Sequence, residues 1–310
     1  MISTRNSALA SGCLAALGWG LTGTFVKLLP SFSTFEVLAY RLIVSLLTIL
    51  PILIFNRPLR SQFTALIQSR SGLTLSSLMV LYYLFAVRAF QLAPVSDVVL
   101  VVGLSPIIGL VVNAFRKKPV TLWESLGALT AFFGLILFVL PKLQGASDQS
   151  AYFTGLFFAL LSACVSLGYA TLFKQFASEN NALNPISVAF ATFLIGSILI
   201  LPIAILTSSN WTANLQQTNV GWIILGLGTL STVVPTLCYS YAAKYLSPIL
   251  TTALNLLTPI FAAIIAAVLL NERLTFLSAI GAGLIIVGIL ALSLAQTRSA
   301  EQSHQEIKTT

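Results

Sequence analysis

Long apolar runs, broken by short polar and basic stretches, fill the chain from residue 8 to residue 294. Runs near 20 residues are long enough to cross a bilayer core as helices. Ten such segments are predicted, at about 8–29, 35–55, 73–93, 95–115, 122–140, 152–173, 185–207, 221–241, 247–270 and 275–294. Only the Ala93-Pro94 corner separates the third from the fourth, and a corner at 241–247, with Pro248 behind it, separates the eighth from the ninth. Residues 180–243 carry no charge, yet they split in two because Thr207–Asn219 is polar and turn-like. After Leu294 the chain turns polar and mixed in charge, so a disordered tail is expected over 295–310.

The pattern repeats. In Ser247–Leu292, two apolar runs flank the short turn Asn271-Glu272-Arg273, and Pro94–Leu137 is an earlier copy. Ser105-Pro106 matches Thr258-Pro259 after 153 residues, while Val120-Thr121, Gly127 and Gly134 match Leu274-Thr275, Gly281 and Gly288 after 154. Two repeats follow, 8–140 and 152–294, each with five spans. An odd number of spans per repeat turns the second upside down relative to the first, a construction that puts a substrate site at the repeat interface. Pro106 and Pro259 remove a helical donor near mid-membrane and are the candidate hinges. Gly127 with Gly134, and Gly281 with Gly288, are seven apart and form flat strips for close helix contact, within the fold or across a homodimer.

Composition narrows the class. With 57% apolar and 8% charged residues, and a mean hydropathy of +0.96, the chain reads as a polytopic membrane protein. The net charge of +8 does not point to nucleic acid, because the basic residues sit in short loops rather than on one face. With the N-terminus inside, eleven Lys and Arg fall on the inner side and four on the outer, which puts both termini in the cytoplasm. The first segment carries Lys27 and no clean small-residue cleavage site, so it reads as a span and not as a signal peptide. Cys13, Cys164 and Cys238 lie inside apolar segments without disulfide or metal spacing. The only histidine, His304, is in the tail, which leaves a serine or zinc mechanism without its base or ligands. No Walker-type phosphate loop is present, and no ring of like charges marks a channel. No enzyme activity, cofactor or metal is therefore expected.

Leu17-Gly18-Trp19-Gly20 in the first span, the turn Leu270-Asn271-Glu272-Arg273-Leu274-Thr275 and the glycine-faced last segment together resemble the EamA type of the drug/metabolite transporter superfamily, over about residues 8–295. The resemblance implies an all-α integral membrane fold of ten transmembrane helices in two inverted-topology five-helix repeats. It also implies secondary transport, by alternating access, of amino acids, drugs, sugars, nucleotide sugars or phosphorylated metabolites. Two positions depart from the family pattern. Asn271 stands where the family often has glycine, and Lys118 occupies the first-repeat place of Glu272.

Charges inside spans are costly and tend to face a cavity or a partner. Arg41 lies about two turns inside the second span and Arg88 about one and a half turns inside the end of the third. Asp97 is expected to pair with Arg88 across the Pro94 corner, and Arg41 with Glu36 or with an anionic substrate. Snorkelling with internal ion pairing is the competing reading. Trp19, Tyr82 and Tyr83 sit mid-span, away from the interface belts, and are cavity-wall candidates, with Tyr40 beside Arg41. Tyr169, Tyr239 and Tyr241 lie near inner helix ends, where the belt reading is favoured. Asn255, one turn before Pro259, is positioned to satisfy a freed carbonyl or to touch substrate. The expected function is export of a small amphipathic metabolite such as an amino acid, with multidrug or cation efflux as the alternative. The short loops point to a bacterial inner membrane. Partners are then the bilayer, the small-molecule substrate and a second copy.

Overall fold

The computed structural model describes residues 2–117, 121–142, 149–179, 183–208, 219–270 and 275–309. The turn Asn271-Glu272-Arg273 and Lys118 lie outside the described residues. Every regular element within them is helical, and no strand occurs among them. Among the described residues, nine helices are long and apolar enough to cross a membrane, and a shorter apolar helix spans Pro248–Ala262.

The first span is α1 (Ile2–Gly20) and α2 (Thr22–Lys27), interrupted at Leu21. The second is α3 (Thr34–Phe55), opened by a capping box between Ser33 and Glu36. An unforeseen helix, α4 (Arg57–Ile67), follows where only a loop is expected. Asn56 caps it by accepting from the Leu59 amide at 3.1 Å, Pro58 occupies its first turn, and Leu59 and Leu66 bury its apolar face. The third span is α5 (Arg70–Leu92). The fourth breaks into α6 (Val95–Val102) and α7 (Ser105–Phe115), immediately before Pro106. The fifth is α8 (Leu122–Val139).

The later helices are α9 (Gln149–Glu179), α10 (Pro185–Thr207) and α11 (Val220–Gly228). A π-helical turn, Thr229–Val233, joins α11 to α12 (Val234–Tyr245). The ninth expected span is α13 (Pro248–Leu254), a 3₁₀ turn over Asn255–Leu257, and α14 (Thr258–Leu270), so it too breaks just before its proline. The last helix, α15, runs from Phe276 to Thr309. The tail is thus helical where disorder is expected: residues 295–309 contain neither glycine nor proline, so nothing in them ends the helix.

The closest-packed pairs are α8 with α15, α5 with α9, α1 with α12 and α3 with α10. Each joins an earlier helix to a later one, so the core lies between the halves of the sequence rather than within either. The glycine strips explain the first pair. A Cβ on Gly127 would stand 2.9 Å from the Gly288 carbonyl oxygen, and one on Gly134 would stand 2.7 Å from that of Gly281. The strips therefore pack on each other, antiparallel and backbone to backbone, as small residues allow in membranes. The contact is reciprocal, with each glycine meeting the repeat counterpart of its strip mate, as at a two-fold interface.

Candidate substrate site

Arg41 is at the centre. Its side chain is 1% exposed, although it carries a charge that costs several kcal/mol to bury unpaired. The Arg41 Nε donates to Thr232 Oγ1 at 2.5 Å and Nη2 donates to the Ser231 carbonyl at 2.9 Å. The guanidinium carbon lies 4.2 Å from the centre of the Tyr83 ring, a contact worth about 2 kcal/mol when desolvated. Both hydrogen-bond partners come from the π-helical turn. A π turn widens the helix by one residue and redirects its polar groups, and such turns are frequent at functional sites. The turn also leaves the Gly228 carbonyl to accept from Ser45 Oγ at 2.8 Å, while Ser45 bonds the Arg41 carbonyl at 2.7 Å.

The remaining nitrogen, Arg41 Nη1, is buried and has no hydrogen-bond partner among the described residues. Arg41 borders a narrow cavity of about 40 Å³ lined in part by Trp19, Thr22, Tyr82, Asn255 and Thr258. Two more buried polar atoms of its lining residues lack partners among the described residues, Trp19 Nε1 and Asn255 Oδ1. None of the lining residues is acidic. The cavity thus combines a cation, an N–H donor and an amide acceptor with aromatic and aliphatic walls. Unpaired buried polar groups are costly, and their presence on residues lining one cavity makes it the candidate binding site.

Aromatic rings close one side. Trp19 meets Tyr82 at 5.5 Å and Tyr239 at 5.0 Å between centroids, and Tyr239 stacks on Tyr169 at 5.9 Å. The hydroxyls of these tyrosines are held in turn: Tyr239 with Ser166 Oγ at 2.9 Å and Tyr169 with Ser240 Oγ at 2.6 Å. Tyr83 bonds Thr236, and Thr236 donates to the Thr232 carbonyl. Tyr169 and Tyr239 are each 1% exposed, so the interface-belt reading of both is wrong: their helices are tightly packed where they sit. A sequence signal for Tyr169 exists. Leu167-Gly168-Tyr169-Ala170 stands 150 residues after Leu17-Gly18-Trp19-Gly20 and repeats its pattern.

Of the sequence candidates, Trp19, Arg41, Tyr82 and Asn255 line the cavity and Tyr83 lies against Arg41. Tyr40 does not join them; its ring packs edge-on against Phe32 at 5.9 Å. The expected ion pairs are absent among the described residues. Glu36 accepts from its own cap, the Ser33 amide at 2.7 Å, and from Ser208 Oγ at 2.6 Å, so it does not reach Arg41. Asp97 is buried and accepts from Tyr152 Oη at 2.9 Å. Arg88 is exposed and points away from it. On α5, residues 82, 86 and 90 share the cavity face, and a step of two residues turns the helix by about 200°, which carries 84, 88 and 92 to the far side.

The structure is that of a multi-pass helical membrane protein with a small, largely apolar cavity beside Arg41, between the two halves of its sequence. The EamA-like transporter family model matches residues 6–140 and 153–294, and the chain belongs to that family. An uncharacterised transporter of Archaeoglobus fulgidus is 24% identical over 206 residues, which span 66% of this chain and 69% of the relative. Solute carrier family 35 member G1 of Mus musculus is 29% identical over 140 residues, 44% of this chain and 37% of that protein. One protein of known crystal structure superposes with a TM-score of 0.73 at 17% identity, covering 95% of this chain and 99% of that one, and so shares the fold.

Proposed function

We propose that this transporter carries a small organic carboxylate, an amino acid or a related amphipathic metabolite, by alternating access of two inverted five-helix halves. One observation carries the reading: a fully buried Arg41 with a free Nη1 in a cavity with no acidic lining residue. A planar guanidinium with one unused edge suits a carboxylate oxygen. The Trp19 N–H adds a donor to that anion, while the Asn255 oxygen accepts from an amine or hydroxyl on the same molecule. Trp19 and Tyr82 supply ring faces for an apolar side chain.

A cavity of about 40 Å³ has room for only a few water molecules, so a metabolite fits only when the halves part. The helix breaks before Pro106 and Pro259 are the proposed hinges. Repeat counterparts also meet near the centre: Tyr83 bonds Thr236, 153 residues on, and Leu256 faces Gly103 across the same interval. These contacts support an inverted repeat with its axis through the site. Export from the cytoplasm of a bacterial inner membrane, with both termini inside, completes the proposal. Glu36 and Asp97 are both hydrogen-bonded away from the cavity, which favours exchange or facilitated diffusion over proton antiport. Efflux of cations is disfavoured because the lining holds one positive charge and no negative one.

The test is a thermal-shift screen of purified protein against amino acids, organic acids, nucleosides, sugars and hydrophobic cations, followed by counterflow in proteoliposomes. A carboxylate raises the melting temperature of the native chain, because a ligand of the folded state alone stabilises it. Arg41→Ala abolishes that shift. A shift by cations alone, or by a carboxylate equally in Arg41→Ala, overturns the proposal.

A further inference from the structure

The far face of α5 borders a second, larger space. A groove of about 760 Å³ runs between the α2–α3 turn, α5 and α9. Its polar edge holds Lys27 and Arg88, both exposed and neither with an ion pair or hydrogen bond among the described residues. No acidic side chain lines it. Gln91 fixes the edge, donating to the Phe32 carbonyl at 3.1 Å and accepting from Thr34 Oγ1 at 2.5 Å. Below that edge the walls are apolar, with Leu84 and Phe158 among them. Leu84 lies eight residues before Leu92, about 12 Å deeper along the helix axis.

We infer that this groove holds an anionic phospholipid, its phosphate between Lys27 and Arg88 and its first acyl carbons along Leu84 and Phe158. Three features carry the inference. The charge is of one sign and unpaired. Lys27 ends α2 and Arg88 lies four residues before the end of α5, with the apolar wall of Leu84 and Phe158 on the side toward the middle of that helix. The groove is also separated from the Arg41 cavity by α5 itself, since residues 84, 88 and 92 lie opposite 82, 86 and 90. An arginine fork beside a lysine point charge suits a phosphodiester, and cations at such sites attract anionic headgroups. The site is thus a lipid seat on the flank of the transport path rather than part of it.

The test uses the full chain in nanodiscs made of equal parts phosphatidylglycerol and phosphatidylcholine, with retained lipid identified after detergent extraction. Phosphatidylglycerol is retained in preference, by about fivefold for each of the two cations. Lys27→Gln with Arg88→Gln brings retention of the two lipids close to equal. Arg57→Gln with Arg60→Gln, on α4, leaves the preference unchanged, as does the charge-keeping pair Lys27→Arg with Arg88→Lys. Both groove cations are exposed, so their variants are checked for folding by gel filtration before lipid is counted. Equal retention of the two lipids by the native chain overturns the inference, as does a preference that survives neutralisation of Lys27 and Arg88. Displacement of the lipid by a soluble dicarboxylate such as succinate also overturns it, by making the groove a substrate vestibule.

Discussion

The two halves of the chain share a scaffold and differ in chemistry. Pro51 in α3 and Pro202 in α10 are 151 residues apart, and that interval sets Thr192 opposite Arg41. Thr192 is equally buried, but its hydroxyl only bonds the Val188 carbonyl of its own helix, at 2.9 Å. The corners Ala93-Pro94 and Leu246-Ser247 are 153 apart, which places Leu78 and Met79 where the second half has Ser231 and Thr232. The first half therefore brings the cation and the second half brings its hydrogen-bond acceptors. Neither half contains both. Asn255 likewise faces the cavity opposite its counterpart Val102. The polar chemistry is divided between the two halves of the sequence, so the cation and its acceptors come together only where the halves meet.

The comparison can be broken most directly at Arg41. Arg41→Ala is expected to lower counterflow by at least about 100-fold in correctly folded protein, since a charge-assisted bond to substrate is lost. Thr192→Ala is expected to change it by no more than about threefold, because only a local bond goes. Comparable losses in the two variants would show that the polar work is shared.

Two glycines sharpen it next. A Cβ on Gly18 would lie 2.7 Å from the Leu230 carbonyl oxygen, whereas its counterpart Gly168 has nothing within 4 Å. Gly18→Ala should cost about 1–3 kcal/mol by overpacking, read as a lower melting temperature. Gly168→Ala should leave stability unchanged or raise it by up to about 1 kcal/mol through helix propensity. A smaller effect is expected from Thr232→Val, which removes the acceptor of Arg41 Nε and should weaken ligand binding about tenfold, measured by titration calorimetry. The smallest is Tyr83→Phe, which keeps the ring against the guanidinium and loses only the hydroxyl bond to Thr236, so affinity should fall by no more than about threefold.

Much of this was legible in the sequence because hydrocarbon penalises polar atoms so strongly. Arg41, Trp19, Tyr82 and Asn255 stand out against apolar neighbours, and all four line the cavity. Arg88 and Asp97 stand out equally but face elsewhere, because linear distance from a corner does not give the azimuth of a side chain on its helix. Ser231 and Thr232 were invisible for a different reason. Hydroxyls in apolar helices usually bond their own backbone, and it is at the π turn that the Thr232 hydroxyl and the Ser231 carbonyl meet Arg41. Tyr239 was misread because counting from an expected boundary put it in a belt, while packing against Trp19 and Tyr169 buries it. The α4 helix carries too few apolar residues to read as a span, so only its Asn56 cap marks it in the sequence.

The π turn at Thr229–Val233 also sets the phase of everything after it. A turn of this kind behaves as one residue inserted into an α-helix, and a single residue is about 100° of rotation. Deleting one residue there would restore an ordinary helix and swing the preceding or following segment by that angle. Either Ser231 and Thr232 would leave Arg41, or Thr236 would leave Tyr83. The alignment of this helix thus hangs on one residue, and a shortened chain with every other side chain in place would lose either the acceptors of Arg41 or the partner of Tyr83.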